Sequence, residues 1–121
     1  MRFLICAAVL MLTACTPDAR EIARTPNASG QIDAVIAVRE TGATVATPSE
    51  IYIVSKGQAI SGEAVFRADN VEGLQVVWSS DVALTIRADK ARVFLRKSTQ
   101  RVDADSKAQQ VEVRYEIREE R

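Results

Sequence analysis

From Ile32 to the C-terminus, apolar side chains recur at every second position. Ile32, Ala34, Ile36 and Val38 form one such series, and Leu74, Val76 and Trp78 a second. Val82, Leu84 and Ile86 follow, then Ala91, Val93 and Leu95, and finally Val111, Val113, Tyr115 and Ile117. Period two puts each series on one face of an extended strand, because successive Cβ atoms point to opposite sides of a sheet. Ile51-Tyr52-Ile53-Val54 is apolar at every position, the pattern of a strand covered on both faces. β-branched residues dominate these runs, and no segment of helical length carries a period of 3.6. The chain therefore reads as all-β, a small antiparallel β-sandwich or open barrel of about seven short strands.

Turn residues separate the runs at close spacing: Glu40-Thr41-Gly42, Lys56-Gly57, Ser61-Gly62, Asp69-Asn70, Glu72-Gly73, Ser80-Asp81 and Ala88-Asp89-Lys90. A short strand is expected at Glu63–Arg67 and a three-stranded meander over Leu74–Lys97. Ser98–Gln109 is polar and reads as a loop. The expected core comprises Val76, Trp78, Leu84, Ile86, Val93, Leu95, Val113, Tyr115 and Ile117. Tyr52, Val54, Val77 and Phe94 fall on the opposite faces. There they form either an exposed docking patch or the underside of a covered sheet.

The first fifteen residues have a different character. Arg2 precedes an apolar run from Phe3 to Leu12, which ends at Leu12-Thr13-Ala14-Cys15. The run is too short to span a bilayer, which takes about 20 apolar residues. It fits a cleaved export signal. Leu12-Thr13-Ala14-Cys15 resembles the lipobox of bacterial lipoproteins: an aliphatic residue, two small ones and a cysteine. The resemblance implies that residues 1–14 are a signal peptide and that Cys15 is lipidated and becomes the mature N-terminus. In that family an Asp after the cysteine marks inner-membrane retention. Thr16 stands here instead, which implies the outer membrane, with the domain facing the periplasm. Residues 15–31, with Pro17, Pro26, Asn27, Ser29 and Gly30, read as a flexible tether of up to about 50 Å. Residues 32–121 then form a single β domain.

Several chemistries are excluded by composition. The chain has no histidine and two cysteines, one inside the signal and one assigned to lipid. A mature domain without either residue type has no thiol nucleophile, no histidine base, no Ser-His-Asp triad and no usual zinc or copper ligand set. With 16 basic and 16 acidic residues the chain is neutral overall, so nothing favours a nucleic-acid partner. Asp69–Gly73 and Asp103–Ser106 offer too few oxygens for calcium, which takes six to eight. No phosphate-binding glycine loop or serine-nucleophile motif is present. The expectation is a protein without cofactor, metal or catalytic activity.

The strongest candidate for contact with a partner is Arg92-Val93-Phe94-Leu95-Arg96. Alternation places Arg92, Phe94 and Arg96 on one face, in a segment also rich in Arg87, Lys90, Lys97 and Arg101. Arginine forks pair bidentately with carboxylate and phosphate. Such a strip suits lipid head groups, peptidoglycan carboxylates or an acidic protein surface. Equally, it suits a solvated strand face whose arginines pair with neighbouring acids and lay their stems over Phe94. The charged C-terminal run, Glu112 to Arg121, reads as a solvent face that discourages edge aggregation.

Val71-Glu72-Gly73-Leu74 through Val77-Trp78, with Asp89-Lys90-Ala91-Arg92-Val93-Phe94, is faintly similar to small proteobacterial envelope proteins to which no activity is assigned. Taken together, the sequence points to a lipid-anchored envelope protein that works as a non-catalytic binding or structural module. An inhibitor or immunity protein against a periplasmic toxin or wall hydrolase, acting through Ser98–Gln109, is the alternative.

Overall fold

A computed structural model describes residues 19–39 and 47–119. The signal segment, Cys15 and the break at Glu40-Thr41-Gly42 lie outside the described residues. Eight strands are present: β1 (Ala19–Pro26), β2 (Ile32–Arg39), β3 (Ser49–Ser55), β4 (Phe66–Glu72), β5 (Gln75–Ser80), β6 (Ala83–Arg96), β7 (Thr99–Ala104) and β8 (Lys107–Glu119). They form one open sheet in the order β1-β2-β3-β4-β6-β8-β7, with β5 added beside β6. The fold is all-β, as the alternation requires. It is mixed rather than purely antiparallel, because β6 and β8 run parallel.

Four local expectations need correction. Residues 19–26, read as tether, form β1 and pair with β2 along its whole length. Few large apolar residues mark this strand because it is an edge that leaves Ile22 53% exposed. Ala88-Asp89-Lys90 does not end a strand. The register slips there against both β4 and β8, so β6 bends at a bulge and continues, and Leu74–Lys97 holds two strands instead of three. Ser98–Gln109 is a hairpin, β7 turning into β8 through Asp105 (φ 52°) and Ser106 (φ 60°). Two consecutive positive φ values are the signature of a type I′ turn. Finally, the strand expected at Glu63–Arg67 lies further on, at Phe66–Glu72. Asp69-Asn70, expected as a turn, sits inside it at the bulge, with Asn70 at φ 50°.

The bend in β6 organises the sheet. Its first half, Ala83–Ala88, pairs with β5 on one side and β8 on the other. Its second half pairs with β4. A bulge of this kind lets one strand pass from one layer to the other. The curled sheet then meets itself: β7 packs on β3, and the Trp78 indole N–H donates to the Thr25 carbonyl of β1 at 2.9 Å. Asn27 links the two nearest turns. Its amide donates to the Asp81 carbonyl at 2.9 Å, and its Oδ1 accepts from the backbone of Gln31 and Ile32.

The main core lies inside this curl. Leu84, Ile86 and Val113 are buried there with Ile32, Ile51, Val65, Phe66 and Val111, while Val76, Trp78, Val93, Tyr115 and Ile117 pack half-buried at its margin. A second cluster occupies the other face of β2 and β3: Val35, Ala37, Tyr52, Val54 and Ala64, with Ala19, Ile60 and Leu95 against it. Tyr52 and Val54 are therefore core, covered by the β3–β4 connection. Val77 and Phe94 stay exposed, at 40% and 56%.

Two single-residue devices fix the bend. The Tyr115 hydroxyl lies 2.7 Å from the Lys97 carbonyl and 3.0 Å from that of Val65, and it accepts the Lys97 N–H at 3.1 Å. Its ring stacks on Phe66 with centroids 6.0 Å apart. Gly73, at φ 65°, is pressed against the bulge, and a Cβ there would sit 2.2 Å from the Asp89 carboxylate. Gly73→Ala is expected to lower stability by about 1–2 kcal/mol from the left-handed backbone alone, with a further loss from the displaced carboxylate. Urea melts would check this. Partial recovery in Gly73→Ala/Asp89→Ala would assign the further loss to the clash.

Candidate functional site

The expected strip on β6 is split by a second bulge. Leu95 pairs with Arg67 and Val93 with Ala68, which leaves Phe94 unpaired between them. One extra residue reverses the facing of everything after it. Val93 accordingly packs on the main core and Leu95 on the second cluster. Arg92 and Phe94 stay together, with the guanidinium 5.1 Å from the ring centroid. Arg96 stands apart from them, 5.1 Å over the Tyr115 ring.

Both arginines also meet acids. Arg92 forks onto Asp69, with Nε 2.7 Å from Oδ1 and Nη2 bound to Oδ2. Asp69 is 3% exposed. The hydrogen bond from Arg92 holds its carboxyl below the usual aspartate value, against the opposing effect of burial. Arg96 pairs with Glu119 at the end of β8. Arg92→Ala is therefore expected to lower the melting temperature, since it strips a buried carboxylate of its cation. An unchanged melting temperature would show that Asp69 is solvated without it.

A second charged cluster escaped the sequence reading. Glu50, the second residue of β3, is completely buried. Arg39 at the end of β2 donates Nε–H to its Oε1 at 2.7 Å. From β4, Arg67 donates Nε–H and Nη2–H to Oε2 at 3.0 and 2.8 Å. Burial alone would raise the Glu50 carboxyl, but hydrogen bonds from Arg39 and then Arg67 outweigh it and hold the group below its ordinary value. Register explains the convergence, since Glu50 lies directly opposite Arg67 on β4 and, on its other side, opposite Ala37, two residues before Arg39. A signal was available: Glu50 is a lone acid heading an otherwise apolar strand, where an unpaired charge is not tolerated.

The two arginines form the wall of a cleft of about 280 Å³, together with Tyr52, Leu95 and the Gly62-Glu63-Ala64 segment. Their side chains remain 33% and 40% exposed. Glu63, at the rim, pairs with Lys97. Among the described residues one arginine balances Glu50 and Lys97 balances Glu63, which leaves one positive charge at the cleft.

No protein-family model, curated protein or solved structure matches this chain.

Proposed function

We propose that the protein is an outer-membrane lipoprotein, anchored through Cys15, whose β domain is a non-catalytic binding or structural module facing the periplasm. The observation that carries this reading is a juxtaposition. The lipobox-like Leu12-Thr13-Ala14-Cys15 is followed by β1 at Ala19, only four residues after the cysteine. Four residue steps span at most about 14 Å. The domain is thus held against the bilayer surface instead of being lifted from it by a long tether. Two or three acyl chains give stable anchoring, at about 0.8 kcal/mol per buried methylene. Confinement raises the effective concentration of the module toward envelope partners without any new contact.

Intact-mass analysis of the protein from bacterial envelopes tests this. The expected species lacks residues 1–14 and carries a diacylglyceryl group on Cys15, while Cys15→Ala carries none. A chain that begins at Met1 and keeps a free Cys15 thiol would overturn the reading.

A further inference from the structure

The cleft walled by Arg39 and Arg67 lies beside the start of β1. Ala19, four residues after Cys15, lies opposite Arg39 in the β1–β2 register. Ala19 also packs on the cluster that contains Tyr52 and Ala64, with Leu95 beside it. The cleft therefore lies at the end of the domain where β1 begins, within about 14 Å of chain from Cys15.

Charge distinguishes this cluster from ordinary compensation of a buried acid. One guanidinium suffices to neutralise Glu50, yet two converge on it. A guanidinium carries five N–H donors. Glu50 takes one from Arg39 and two from Arg67, and both heads reach solvent at the cleft. The buried carboxylate fixes the two forks from beneath, so they meet a ligand with little further ordering. The surplus of one positive charge matches a monoanion with two equivalent oxygens, and Leu95 and Ala64 offer apolar contact beside it.

We infer that the Arg39–Arg67 cleft binds the phosphodiester of an anionic phospholipid head group, so that the domain docks on the membrane that holds its anchor. The anion chemistry stands on the cleft alone, while the choice of a lipid as its source rests on the lipoprotein reading. Lipid and soluble phosphate share this chemistry, and the test separates them.

The test uses the protein purified from membranes in neutral detergent, and follows its melting temperature. Micelles doped with phosphatidylglycerol are compared with phosphatidylcholine, with soluble glycerophosphoglycerol and with inorganic phosphate. A ligand that binds only the folded state raises the melting temperature with its concentration. The expected result is a rise with phosphatidylglycerol and a weaker one with glycerophosphoglycerol. Salt should reduce both. Arg67→Lys, which keeps a cation near Glu50 but loses the fork, should lose most of the rise, whereas Arg114→Gln on the outer face of β8 should keep it. An equal rise with inorganic phosphate would overturn the lipid source. The absence of any rise in the unmodified protein would overturn the cleft, whether or not the Arg67 variant folds. Intact mass of the same preparation shows separately whether Cys15 is acylated, so failure of the anchor is not confused with failure of the site.

Discussion

Replacing Arg39 and Arg67 together by methionine is expected to cost about 3 kcal/mol of stability. Removal of the cations from a buried carboxylate usually costs about 3–5 kcal/mol, and the lower end applies because both arginine heads are partly solvated. The pH dependence should change as well as the magnitude. In the native protein the Glu50 carboxyl sits below its ordinary value of 4.5. Its contribution is present above that pH and is lost as pH falls through the lower folded value. Without the arginines burial is the largest influence left on the carboxyl, beside its hydrogen bond with Tyr52, and its folded value moves up. The double variant should then gain stability as pH falls through that raised value, the reverse of the parent. Urea unfolding between about pH 3 and 8 measures both. Parallel pH curves for the two proteins would show that Glu50 is reached by water in the folded state.

Tyr115→Phe carries the second large expectation. The ring and its contact with Phe66 persist, and the Lys97 N–H still donates to the Val65 carbonyl at 2.8 Å, so the Lys97 carbonyl is the group that loses its partner. A buried backbone group left without a hydrogen bond costs about 1–3 kcal/mol. Burial also pushes the Tyr115 hydroxyl up to about 12, against the lowering effect of the Lys97 backbone. The stabilisation held in this group is complete below the ordinary phenol value near 10 and is lost as pH rises toward 12. The parent should lose stability over that alkaline range, and Tyr115→Phe should lack that component. An equal alkaline loss in both proteins would place its origin elsewhere.

The parts of the fold that the sequence displays are those governed by nearest neighbours. Alternation in β5, the first half of β6 and β8 is visible because one face of each meets the core. The continuous run in β3 is apolar throughout because both its faces are covered. β1 was hidden, since an edge strand can form with little apolar content when its partner supplies the burial. The β7–β8 hairpin was hidden because Asp105-Ser106 makes its turn without glycine. Both bulges in β6 were invisible for a different reason. A bulge is a relation between two strands, set here by partners that lie 18 or more residues away in sequence. The second bulge divided Arg92 and Phe94 from Arg96, which simple alternation had grouped. The same limit hid the charged cleft, whose members sit at positions 39, 50 and 67 and meet only through register.

β6 belongs to both layers of the molecule, and this has a consequence for how the protein opens. A sandwich built from two independent sheets can lose one while the other persists. Here fourteen consecutive residues hold β5 and β8 with one half and β4 with the other. Neither layer can release its share of β6 without dragging on the other, so the domain behaves as a single foldon. Backbone amides of Leu84 and Val93, on opposite sides of the bend, should therefore exchange with solvent at one common slow rate.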